Sequence, residues 1–368
     1  MSISEPVETI QQPTPAVAAQ RDLRKTGIHP DHWYPLARSR DVKRGKPFGT
    51  QFAGEPIVIV RTTSGTLFAL EDRCAHRQVP LSGGTVEGEL LQCGYHCWTY
   101  DASGACVSVP YLDKERTLPN GVRRYPCREA YGLIFVYTGD EANVATATFP
   151  VVPAYADRRY KTRTLDRRIE CHYSFMHENL MDMNHQFLHR RLMGGIKTVF
   201  LELREGDDWV EADYTFRRTR GKQPLGEKFM IGRRRQKKSS DARRDLMTIR
   251  TGYPYQTLQY WKAGSTDPEL SLWNIYTPVD REQRTNHTYG LMSIRTPSTP
   301  GLIYLMWPFI AWFTDGIFAE DRHIVELEQK AFDRQGADWN QEIFPIIQKL
   351  RGVLIRQGVP MDETGGGA

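Results

Sequence analysis

Asp182, His185 and His189 stand at i, i+3 and i+7 within residues 178–189, Glu-Asn-Leu-Met-Asp-Met-Asn-His-Gln-Phe-Leu-His. On an α-helix each residue turns about 100°, so the three side chains fall within roughly 60° of arc. Asn179 lies at the edge of that face. Two imidazoles and a carboxylate on one face can bind a metal. A non-haem Fe(II) centre wants two histidines and a carboxylate, with positions left open for oxygen. A third ligand must then come from elsewhere, and so must electrons.

A second constellation lies upstream. Cys74-Ala75-His76 is followed by 16 residues and then Cys93-Gly94-Tyr95-His96. The two pairs offer two thiolates and two imidazoles from two loops. Such a set suits a structural zinc or a [2Fe–2S] centre with two histidines on one iron. Zinc signatures usually pair like residues as C-x₂₋₄-C, which this spacing does not do. Cys97, next to His96, reads as packing rather than a fifth ligand.

The elements that must position these groups are of two kinds. Residues 49–137 carry short apolar runs separated by turn signals, among them 56–60, 66–70, 90–93, 98–100 and 133–137, and predict an all-β domain. Residues 149–157 form a joint. A helix is expected over about 173–192, ended by Gly194 and Gly195. Runs at 198–203, 209–216, 257–261, 270–278 and 285–294 predict an antiparallel sheet. The aromatic stretch Trp307, Phe309, Trp312, Phe313 and Phe318 reads mainly as core. Asp321 is expected to open a helix.

Together, C-x-H-x₁₆-C-x-x-H and the later Asp-x-x-His-x-x-x-His resemble the oxygenase (α) component of Rieske non-haem iron oxygenases. The likeness spans most of residues 30–330. It implies an α+β protein: an N-terminal all-β Rieske [2Fe–2S] domain, then a helix-grip catalytic domain, an antiparallel sheet with helices. The division expected is a flexible tail at 1–25, the Rieske domain at 26–149, the catalytic domain at 150–360 and a tail at 361–368. The resemblance also implies cluster ligands Cys74, His76, Cys93 and His96 and iron ligands His185, His189 and Asp321, with Glu320 as the fallback carboxylate. It implies a homotrimer in which Asp182 bridges the partner subunit's His96 and this chain's His185, with Asn179 beside the open face of the iron. Two departures stand out. The second loop has Gly94 and Cys97 where relatives usually carry Pro and Gly, and three residues rather than four separate the two helix histidines.

The function implied is the terminal oxygenase of a multicomponent system. O₂ and electrons from NAD(P)H would hydroxylate or demethylate an apolar, aromatic substrate. No GxGxxG follows a strand, so a separate reductase or ferredoxin is expected as the donor. The rival readings are a Rieske-type electron carrier without oxygenase activity and a zinc-stabilised binding protein.

Composition sets the remaining bounds. The 368 residues are 40% hydrophobic and 25% charged, enough for a substantial core. The net charge of +5 is too weak to argue for nucleic acid. Six cysteines with no signal-peptide pattern predict a reduced, cytoplasmic setting. The most apolar run, 301–313, is expected to be interrupted at Pro308, so no membrane partner is expected. The basic run of residues 233–238 with Arg243 and Arg244 reads as a solvated loop or a docking patch for an acidic electron donor.

Overall fold

The computed structural model describes residues 22–113, 116–220, 222–231 and 245–361. The basic run at 233–244 lies outside the described residues.

The chain enters through a 3-10 turn, Leu23–Lys25, and strand β1, Thr26–Gly27. The N-terminal part then holds β2 (Trp33–Arg38), β3 (Lys46–Phe52), β4 (Glu55–Arg61), β5 (Leu67–Glu71), β6 (Thr85–Glu87), β7 (Leu90–Gln92), β8 (Thr99–Tyr100), β9 (Cys106–Ser108), β10 (Arg124–Tyr125), β11 (Cys127–Ala130) and β12 (Leu133–Tyr137). They form three sheets, ordered β10-β5-β4-β3, β11-β12-β2 and β6-β7-β8-β9. In β4 the sequence Ile-Val-Ile-Val is buried on both faces. Alternate side chains of a strand point to opposite sides. Ile57 and Ile59 therefore join the main core. Val58 and Val60 join a smaller core with Leu81, Leu91, Cys74 and Cys93.

The second part contains α1 (Pro153–Ala156), β13 (Tyr160–Ile169), α2 (Tyr173–Met181), α3 (Arg190–Met193), β14 (Gly195–Glu205), β15 (Trp209–Arg220), α4 (Leu225–Ile231), β16 (Leu246–Gly252), β17 (Tyr255–Trp261), β18 (Leu270–Pro278), β19 (Asn286–Arg295), α5 (Leu302–Gln335), α6 (Pro345–Gln357) and β20 (Val359–Pro360). Its sheet has seven antiparallel strands, β13-β19-β18-β17-β16-β15-β14. Strand β18 shows how the sheet serves two neighbours. Trp273 packs 6.1 Å from Phe135 and the Thr277 hydroxyl donates to the Pro35 carbonyl, so the odd residues face the N-terminal part. Tyr276 meets the His177 ring of α2 at 4.8 Å, so the even residues face the helices.

Four expectations need correction. Residues 22–25 do not belong to a flexible tail: Leu23 and Arg24 are buried. Arg24 bonds Ser174 and Glu178 of α2, and β1 pairs with β20. The entering segment thus belongs with the catalytic part, and residues 26–28 do not open the Rieske domain. The single helix expected over 173–192 is three pieces. Asp182 leaves helical geometry at φ −82°, ψ 88°, and its carboxylate accepts the Asn184 N–H. This side-chain cap competes with helix continuation. A 3-10 turn, Met183–Phe187, follows, then α3, which ends at Gly194 with φ +73°. Asp321 does not open a helix; it lies inside the 34-residue α5. Finally, Pro308 does not interrupt that helix. One missing N–H and a slight bend are tolerated when neighbouring turns are packed. By length and composition α5 could cross a bilayer, although it lies along the sheet and helices of this domain.

Candidate active site and cluster site

The two cluster loops are held by short strands and by side chains between them. The Asp72 carboxylate accepts both the N–H and the hydroxyl of Ser82, each at 2.6 Å. The loops also approach backbone to backbone: a Cβ on Gly94 would stand 2.8 Å from the Gly83 carbonyl oxygen. Within this frame Cys74 and Cys93 are buried at the inner end. Burial pushes the Cys93 thiol up, and the adjoining Cys74 sulfur adds to this, against a hydrogen bond from the Tyr95 backbone. His76 and His96 lie outward, with ring centroids 4.6 Å apart. Two buried thiols at the inner end and two imidazoles at the rim fit a [2Fe–2S] centre that takes two histidines on one iron.

Two contacts were not legible beforehand. The Tyr100 hydroxyl is 3.2 Å from Cys74 Sγ and accepts the Ala75 N–H at 3.0 Å. Hydrogen bonds of this kind tune a cluster's potential. The Trp98 indole stacks on His76 at 4.8 Å and 5°. Cys97 stands at φ +59°, a left-handed conformation that glycine adopts most easily.

The second site forms where the 3-10 turn and α3 meet α5. His185 and His189 stand edge to face, ring centroids 5.2 Å apart. From α5, Asp321 Oδ1 lies 3.7 Å from His185 Nε2 and 3.2 Å from His189 Nε2. One ligand atom from each of the three falls within 4.8 Å of the others. The His189 Nε2 atom is buried without a formed hydrogen bond. Burial alone would raise the Asp321 carboxyl, but His189, His185 and Asn179 together hold it below the usual carboxylate range. An orphaned ring nitrogen beside an ionised carboxylate fits a divalent cation.

The other nitrogens are committed elsewhere. His189 Nδ1 is 2.8 Å from Glu320 Oε2, and His185 Nδ1 is 2.6 Å from the Asp182 backbone carbonyl. Each contact sets the tautomer that leaves Nε2 facing inward. Glu320 therefore stands behind His189 and Asp321 stands in front of it. Asn179 Nδ2 donates to Asp321 Oδ1 at 3.1 Å. The Asp182 carboxylate does not reach His185; it accepts from Asn184 and is half-exposed.

Comparison with known proteins identifies both parts of the chain. Residues 32–126 match the Rieske [2Fe-2S] domain family, and residues 169–345 match the vanillate O-demethylase oxygenase C-terminal domain. The chain is 30% identical over 359 residues to the 4beta-methylsterol monooxygenase of Methylococcus capsulatus, covering 94% of this chain and 93% of that protein. It is 33% identical to the oxygenase component of dicamba O-demethylase from Stenotrophomonas maltophilia, over 43% of this chain and 47% of that one. The crystal structure of dicamba monooxygenase bound to dicamba superposes with a TM-score of 0.73 at 21% identity, covering 90% of this chain and 97% of that chain, a likeness of fold. With both domains matched in order and a relative matched over 93% of its length, the chain belongs to the Rieske-type oxygenases, as an oxygenase component carrying a Rieske [2Fe–2S] domain.

Proposed function

We propose that this protein is the terminal oxygenase of a multicomponent system, receiving NAD(P)H-derived electrons from a separate reductase, directly or through a ferredoxin. In the hydroxylation reaction one atom of O₂ enters the substrate and the other leaves as water, consuming two electrons and two protons. The observation that carries the reading is the convergence of His185, His189 and Asp321 in a chain that also bears a Rieske domain. When bound, the cluster on Cys74, His76, Cys93 and His96 supplies single electrons, and Fe(II) on His185, His189 and Asp321 supplies an oxygen-activating centre.

The chain's own residues prepare the His185, His189 and Asp321 site. Glu320 holds the His189 ring, the Asp182 carbonyl holds the His185 ring, and Asn179 steadies the Asp321 carboxylate. Asp182 is assigned to the junction of a head-to-tail homotrimer, within reach of the partner subunit's His96. Its half-exposed carboxylate and the 65% exposed Phe187 nearby support an outward-facing role. An electron carrier would have no need of the second cluster of ligands.

The substrate is assigned as apolar. On the helix-facing side of the sheet, Leu165, Leu258, Leu272 and Met292 lie in register around Asn274 and Gly290. Asn274 Oδ1 is buried without a partner and so can accept a hydrogen bond from a substrate hydroxyl. The likeness to a methylsterol monooxygenase over 94% of this chain favours a bulky alicyclic lipid over a small aromatic acid. The test is NADH consumption with a surrogate reductase and ¹⁸O₂, comparing a 4-methylsterol with a methoxybenzoate. Substrate-dependent consumption with label in the product supports the reading. Consumption that no substrate stimulates, with no label incorporated, refutes it.

A further inference from the structure

The first turns of α5 carry an apolar stripe on both sides of the helix. Ile303, Ile310, Phe313 and Thr314 are buried. The opposite face presents Tyr304 (69% exposed), Leu305 (81%) and Trp312 (62%), with Pro308 exposed between them. A helix that is apolar all round is normally enclosed by protein or by lipid. Among the described residues no protein covers one face of this helix.

The patch extends beyond α5. Gly226 of α4 sits under the Phe313 ring, where a Cβ would approach Cδ2 to 2.3 Å. This close packing brings Leu225 (61% exposed) and Phe229 alongside. The Phe229, Phe309 and Trp312 rings form a continuous row with centroid spacings of 5.4 and 5.5 Å. Large apolar patches on a protein surface mark interaction sites.

Charge identifies the occupant. Lys161 Nζ lies 3.6 Å from the Tyr304 ring centroid, and Lys222 and Lys228 flank Leu225 in the sequence. The two acids nearby are neutralised: Glu227 is buried against Arg218, and Asp315 pairs with Arg163 and Arg167. Aromatic and aliphatic side chains rimmed by lysines fit the interface of an anionic bilayer, where rings sit at headgroup level and lysines meet phosphates.

We propose that the α4–α5 face docks the enzyme onto an anionic membrane surface. The helix lies on the bilayer and does not span it, because its other face holds the catalytic domain together. This inference rests on the apolar, lipid-like substrate proposed above. Trp312 and Asp321 are nine residues apart on one helix, about 14 Å along its axis. Nine residues also turn a helix by about half a revolution, so the docking face and Asp321 lie on opposite sides of α5.

The experiment is co-sedimentation of the holoenzyme with phosphatidylcholine vesicles containing or lacking phosphatidylglycerol. The pair Leu305→Ser and Trp312→Ser is the principal variant, and Phe229→Ser on α4 is the second should the pair fail to fold. Visible absorbance of the cluster reports that each variant is intact. Wild type should sediment with anionic vesicles more than with neutral ones, and the variants should partition at least about tenfold less. Wild type that stays in the supernatant, or variants that bind as well as wild type, overturn the proposal. So does loss of self-association in the variants without any vesicle binding, which makes the face a contact between copies. Vesicle binding is read without turnover, so a water-soluble substrate would defeat the substrate assignment and leave the docking result standing.

Discussion

Glu320 offers the sharpest test of how the histidine pair is prepared. Its Oε2 lies 2.8 Å from His189 Nδ1, and Asp321 faces the opposite ring nitrogen at 3.2 Å. A hydrogen bond to a charged group contributes about 1.5–3 kcal/mol net. The Glu320 side chain is 26% exposed, so water competes and the lower end applies. A change of about 1.4 kcal/mol is tenfold in affinity. Glu320→Ala should therefore weaken Fe(II) binding about tenfold. Glu320→Gln should weaken it less, because an amide oxygen still accepts from Nδ1–H. Asp321→Ala removes a ligand and should exceed both by a wide margin. Competition with a chelator on metal-depleted protein measures all three, with the cluster spectrum as the control for folding. The reasoning fails if Glu320→Ala abolishes iron binding while Asp321→Ala keeps it, since Glu320 would then be the ligand. It fails equally if Glu320→Ala changes nothing.

Three further outcomes follow from the same geometry. Asp182→Asn should leave the cluster and the mononuclear iron in place while reduction-driven single turnover collapses; if loss of iron accompanies the defect and added iron restores turnover, Asp182 serves only this subunit's site. His177 is fully buried with neither ring nitrogen partnered, and burial pushes it down to about 3. The unfolded chain then binds a proton below about 6.5 that the folded chain refuses, so stability is fullest above 6.5 and falls as pH drops toward 3, by about 1.4 kcal/mol per pH unit. Urea unfolding at pH 7.5 and 5.5 should show a smaller acid loss in His177→Leu than in wild type, and equal losses would contradict the assignment. Cys97→Gly relieves a left-handed residue and should raise the temperature at which the cluster bleaches, by about 1 kcal/mol of stabilisation; a lower bleaching temperature would mean that the Cys97 side chain is itself needed by the loop.

The two Cys–His pairs and the two helix histidines stood out as candidate ligands from spacing because their chemistry leaves few alternatives, whereas the carboxylate did not. Two Cys–His pairs in one β-rich stretch, followed by two histidines four apart, restrict the fold as well as the site. Strands 133–137 and 270–278 were legible since each is a continuous apolar or alternating run bounded by turns. The start of α5 was not. Its first turns are apolar on every side, so no period marks a helix, and Pro308 suggests a stop that packing overrides. The break at Asp182 was hidden for a different reason. The sequence shows helical spacing, while the deciding interaction is a local bond from Asn184 to the Asp182 side chain. Arg24 looked like part of a mobile tail because its partners, Ser174 and Glu178, are some 150 residues away. Glu320 and Asp321 were adjacent candidates for one role, and only the fold separates them across the two faces of His189.

The central claim is that one chain carries a Rieske cluster and a separate iron on His185, His189 and Asp321. Iron and acid-labile sulfide per chain, measured in wild type and in His189→Ala, test it most directly. The account predicts three irons and two sulfides in the wild type, and two of each in the variant with the Rieske electron paramagnetic resonance signal preserved. Two irons in both proteins, or zinc without sulfide, would contradict it.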